Sequence, residues 1–165
     1  MKRSLLMIAA VLVVGGCVDD RRQVIAPGTP IELTRITPNA PSIVYYSGLV
    51  EPARMVIDDP AALASVWARV FANGSELPPL PKVDFRRERV IVAALGGRAT
   101  GGYGIELAGA DLQGDEIVVD VVSTSPGGNC VVTQALTAPV DIARIPRGGA
   151  VRFAERSALR DCGKP

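Results

Sequence analysis

The side chains in this sequence that could do chemistry are few. Histidine is absent, which removes Ser-His-Asp and Cys-His catalysis and the commonest zinc ligand. Three cysteines are present, Cys17, Cys130 and Cys162, with no CxxC spacing and too few thiolates for a zinc site. Two carboxylate pairs, Asp58-Asp59 and Asp115-Glu116, could serve as acid and base, but a helix start and a turn account for both. Asp120 sits inside the apolar run IVVDVV. On a sheet with one solvent face it points outward, whereas a buried Asp120 would carry a strongly perturbed pKa. The stretch GGRATGGYGIEL at 96–107 has the glycine density of a phosphate cradle. A dinucleotide fingerprint needs a helix after its glycines, to present amides and a dipole. Here an alternating strand pattern follows, and no GKS or GKT occurs. No catalytic set, metal site or cofactor site is therefore expected, and the chain is read as a non-enzyme.

The elements around these residues predict an α+β domain that is predominantly antiparallel β. About six or seven strands form a sheet or small sandwich, with one amphipathic helix at 60–73. In DDPAALASVWARVFANG, Asp59 can cap the first amides and Pro60 suits the first turn. Leu63, Val66, Trp67, Val70 and Phe71 share one face, and Asn73-Gly74 ends the run. The single tryptophan, on that face, reads as a core anchor. A strand, a kink and a second strand are expected between Ile43 and Ile57, interrupted by Gly48 and Pro52. Val90 to Leu95 reads as a strand buried on both faces. Further strands are expected from Tyr103 onward and over 116–123, 130–136, 140–145 and 151–153, separated by glycine and proline turns.

Gly96 to Gly102 then connects two strands. One reading is a hairpin loop with a bulge, whose glycines allow positive φ. The other is a partner-facing loop, with Gly96, Arg98, Thr100, Gly101, Gly102 and Tyr103 as its residues and Arg98, Thr100 and Tyr103 as contacts. The cluster Arg86, Arg87 and Arg89, interrupted by Glu88, reads as a solvated turn. With 18 basic and 17 acidic residues in all, no basic face for nucleic acid is indicated.

The chain opens MKRSLLMIAAVLVVGGC. Lys2 and Arg3 precede an apolar run from Leu5 to Val14, about half of the roughly 20 residues a spanning helix needs. Val14-Gly15-Gly16-Cys17 resembles a lipobox, the cleavage and lipidation site of bacterial lipoproteins. This divides the chain into a signal peptide at 1–16, a lipid-anchored tether at 17–42, rich in proline, and one globular domain at 43–165. The resemblance implies that Cys17 becomes an acylated N-terminus, holding the chain on a membrane without spanning it. Val18, not Asp, follows Cys17, so outer-membrane attachment facing the periplasm is the expectation. In that oxidising compartment Cys130 and Cys162 pair most simply as a disulfide, two free thiols being the alternative.

Several stretches together resemble a known family: Val66-Trp67, LPPLPKVDFRRERVIVAALGGRATGGYGIEL at 77–107, and CVVTQALTAPVDIARIP at 130–146. They resemble the C-terminal domain of PrcB-like protease complex subunits. Asp84-Phe85, Gly96, Thr100 to Tyr103, Thr133 to Ala135, Thr137 and Pro139 occupy the family's pattern, over about residues 55–153. Val140-Asp141 departs from it, an aromatic after the proline being more typical. The resemblance implies a bacterial lipoprotein or secreted protein that assists assembly or stability of a cell-surface subtilisin-like protease without being the protease. It makes 96–103 the leading site, with Gln134, Thr137 and Pro139 as a second edge. The loop alone is also similar to the Asn-Pro-Thr-Thr-Gly-Tyr loop of chagasin-like cysteine-protease inhibitors, ATGGY at 99–103 lacking the Asn and Pro.

The function expected is that of a non-enzymatic envelope lipoprotein binding another extracytoplasmic protein, a protease being one candidate. The alternatives are a chagasin-like inhibitor acting through 96–103 and a structural envelope lipoprotein. The partners expected are that protein and the membrane, with no nucleic acid and no small-molecule cofactor.

Overall fold

The computed structural model describes residues 28–38 and 44–163. The signal peptide, Cys17 and most of the tether lie outside these residues.

Eight strands form two four-stranded sheets. One sheet contains β1 (Thr29–Pro30), β5 (Gly104–Gln113), β6 (Glu116–Pro126) and β8 (Ala150–Arg160), in that order. The other runs β2 (Thr34–Arg35), β7 (Val140–Pro146), β4 (Glu88–Ala94) and β3 (Ala53–Ile57). The sheets face one another, and α1 (Pro60–Val70) covers the outer face of the β2-β7-β4-β3 sheet. The middle sheet therefore has no solvent face. Alternation along β4 shows this directly: Ile91 and Ala93 join the core between the sheets, while Val90, Val92 and Ala94 join the core under the helix. A continuous apolar run is the sequence signature of such a strand.

Helix α1 begins where its capping residues place it. Asp59 accepts from the Ala62 amide at 2.9 Å, and Pro60 is the first helical residue. Leu63, Trp67 and Val70 are buried. Trp67 lies 4.7 Å from the Phe71 ring and donates from Nε1 to the Pro78 carbonyl. The helix ends at Val70, earlier than the expected 73; Phe71 caps it, and residues 71–73 form a turn.

Four expectations are corrected. Residues 130–136 form no strand. They lie against the 96–102 connection, which offers them only isolated backbone partners, Gly101 to Thr133 and Arg98 to Thr137. Strand β8 runs to Arg160, well past Phe153, and pairs parallel to β6. Its second half is solvent-exposed, Leu159 included, so apolar alternation does not mark it. The connection 96–102 is not a hairpin, because β4 and β5 belong to different sheets. Arg89 is buried, donating from Nη1 to the Gly149 carbonyl at 2.9 Å; its Nε lies 3.1 Å from Asp58 without hydrogen-bond alignment.

Residues assigned to the tether also enter the fold. Thr29–Pro30 and Thr34–Arg35 pair with β5 and β7, and Ile31 and Leu33 pack on the inter-sheet core. Cys130 and Cys162 form a disulfide. Parallel pairing makes this natural, since the two cysteines follow the ends of β6 and β8, where Gly127 also donates to the Arg160 carbonyl. Asp120 faces outward and pairs with Arg156 at 3.2 Å.

Candidate protein-docking groove

The connection between β4 and β5 crosses from one sheet to the other, and its glycines serve that crossing. Gly96 and Gly102 have φ of +80° and +86°, which favour glycine. A Cβ on Gly101 would collide with the Thr133 hydroxyl, and one on Gly102 would stand 2.8 Å from Val132. Gly96 and Gly101 are buried. The Gly101 amide donates to the Thr133 carbonyl, and the Thr137 hydroxyl donates to the Thr100 carbonyl at 3.0 Å. These contacts clamp 96–103 against 130–138, so the two segments form one unit.

The surface of that unit is uneven. Thr137 and Pro139 are buried, and Gln134 is exposed. Of the proposed second edge, only Gln134 presents its side chain. Arg98, Thr100 and Tyr103 are half-buried. Arg98 donates to the carbonyls of Leu95 and Gly97, and its guanidinium lies 5.6 Å from the centre of the Tyr103 ring.

Beside Arg98 opens a groove of about 600 Å³. Its floor is Ser47, Thr137 and Ala138, all buried. Its walls carry Tyr46, Val50 and Leu136, with 59%, 62% and 80% of their surfaces exposed. Segments 46–50, 97–99 and 136–138 build it, together with Asn73. Ser47 fixes the first to the third, donating from its hydroxyl to the Ala138 carbonyl at 2.7 Å. Asn73 ties the helix end to the same place, donating to the Ser47 carbonyl at 3.1 Å. The groove is thus a hydrogen-bonded frame presenting large apolar side chains to water, an arrangement typical of interaction sites. Tyr46, Val50 and Leu136 carry no motif; only the two adjacent tyrosines, in an otherwise aromatic-poor chain, hint at a surface.

A buried carboxylate with a raised pKa lies elsewhere. Asp141 on β7 is fully buried between the sheets. Burial pushes its carboxyl above the ordinary value of 3.8, against the Leu107 amide and the Arg35 guanidinium, which pull it down. The Leu107 amide donates to it at 2.8 Å and Arg35 Nε at 3.0 and 3.1 Å, while Arg35 Nη2 donates to the Leu107 carbonyl. Leu107 adjoins a bulge in β5, where the pairing with β6 slips before Gly109. Side chains from β2 and β7 thus satisfy the backbone beside this irregularity. Asp141 is enclosed, and its partners answer it, while Arg35 reaches outward to Glu106 at 3.1 Å.

No curated protein and no solved structure matches the chain. Residues 89–146, from β4 to the end of β7 and including the whole 96–103 connection, match the family model described as PrcB C-terminal.

Proposed function

We propose that this chain is a non-enzymatic lipoprotein of the bacterial envelope whose domain docks another extracytoplasmic protein, a protease or its precursor, in the groove beside Arg98. The observation that carries this reading is the exposed apolar wall of Tyr46, Val50 and Leu136, set on the family-matched clamp of 96–103 and 136–138. A few anchors, tyrosine and arginine prominent among them, carry most of the binding energy in protein interfaces, and the groove places Tyr46 and Arg98 together. The family match is consistent with a protease-associated subunit. The anchor rests on the lipobox resemblance at Cys17, and an outer-membrane, periplasm-facing position on Val18 behind it.

A photo-crosslinking residue at position 46 or 136, in cells carrying the full chain, tests the groove. One specific envelope protein should be captured there and not from position 156 on the far sheet. Equal capture from both faces, or none from the groove, removes the reading. Cys17→Ser tests the anchor: acyl labelling should vanish and the chain should leave the membrane fraction.

A further inference from the structure

Arg35, Arg54, Arg89, Arg144, Arg152 and Arg156 each lie against a carboxylate. Arg98 does not. Among the described residues its guanidinium meets only two carbonyl oxygens and the face of Tyr103. It stands at the junction of two depressions. One is the apolar groove; the other is a recess of about 430 Å³ lined by Leu95, Tyr103, Ser123, Ser125 and Ser157. Its serines come from β6 and β8, and Leu95 and Tyr103 from the two ends of the 96–102 connection. None of the three serine hydroxyls bonds to a described residue, so all are open to a ligand.

Resting on the groove reading, the geometry points to the chemistry of what docks there: an extended segment of the partner in which an internal Asp or Glu adjoins one or two large apolar residues. The apolar side chains lie on Tyr46, Val50 and Leu136. The carboxylate meets Arg98, whose planar fork suits bidentate pairing and whose cation lacks any other anion. The chain then continues over Ser123, Ser125 and Ser157. That continuation distinguishes an internal acid from a chain terminus, since a terminal carboxylate would leave the recess empty.

The test uses the full chain in detergent and a displayed library of random dodecapeptides. Selected peptides are synthesised with both ends blocked, and binding is followed by fluorescence polarisation. The expected peptides carry an acid beside apolar residues. Replacing that acid by its amide should weaken binding about ten-fold, as should Arg98→Gln, and combining the two should add little. Equal binding of the acid and amide peptides overturns this inference; if Leu136→Asp still abolishes binding, the groove stands. Binding that ignores Leu136→Asp, or a library that returns no binder, removes the groove and this inference together. Binding that needs a free C-terminus overturns the internal acid. The peptide amide is read on the unaltered protein, so the test survives even if Arg98→Gln fails to fold.

Discussion

Arg35 and Arg98 are both partly buried arginines, and they mark two differently built regions. Around Arg35 every charge has an answer. The guanidinium reaches Asp141, Glu106 and the Leu107 carbonyl, and Asp141 also accepts from the Leu107 amide. Arg98 has carbonyls and a ring but no carboxylate, and beside it lie exposed Tyr46, Val50 and Leu136. In the first region the charges are paired among themselves. The second leaves a cation and an apolar wall to be covered. Perturbed ionisable groups are candidates for function, yet the raised carboxyl of Asp141 belongs to the region that holds the fold together.

The largest effect should come from breaking the closed region. Asp141→Leu leaves the Leu107 amide without an acceptor and Arg35 without its main partner. Removing one member of a buried, hydrogen-bonded ion pair costs about 3–5 kcal/mol. Urea denaturation should show that loss. A change below about 1 kcal/mol would mean that the sheets reseal without the carboxylate.

Next in size is the glycine clamp beneath the open region. Gly102→Ala combines a positive φ with a close approach to Val132 and Pro126. Strain of this kind costs about 1–3 kcal/mol. The variant should melt earlier and lose binding in proportion. Full stability with lost binding would instead make Gly102 a contact residue.

These two regions also show what a sequence discloses. IVVDVV and PVDIAR each place one acid in an apolar strand. Asp120 faces solvent on an outer sheet, while Asp141 faces the inter-sheet core. Local pattern cannot separate them, because the difference depends on which sheet each strand joins. Helix α1 and strand β4 were legible because their periodicities state how many faces are buried. Strand β8 was legible only to Phe153, since its remainder is held by pairing to β6 and not by apolar alternation. The connection 96–103 was legible from its glycines, yet most of what they do is internal. The groove was not legible at all, because Tyr46 and Val50 meet Leu136 only after two distant segments assemble.

A third effect sharpens the comparison through pH. The Asp141 pKa is raised in the fold, chiefly by burial. Between 3.8 and that higher value the folded state holds the proton more tightly than the unfolded chain does. The contribution of Asp141 is therefore most favourable at the acid end and declines as pH rises through the window. Asp141→Asn does not titrate there. The stability of the natural protein relative to this variant should fall across the window and level off above it. A difference that grows with pH would mean that Arg35 and the Leu107 amide outweigh desolvation.

The smallest effect on stability should come from the open region, and there the comparison is most exposed to failure. Leu136 is 80% exposed and belongs to neither core cluster. Replacing an exposed side chain away from caps and networks usually changes stability by less than about 0.5 kcal/mol. Leu136→Asp should therefore leave the denaturation midpoint almost unmoved while abolishing capture of the partner, because a charge on the apolar wall must be desolvated when the groove is covered. The two readouts separate the regions: Asp141→Leu loses stability first and binding only as a consequence, whereas Leu136→Asp loses binding alone. If Leu136→Asp unfolds the domain, the 130–138 segment is part of the core and not a docking wall. If it changes neither readout, the exposed leucine is incidental, and the surface that meets the partner must be sought away from Arg98.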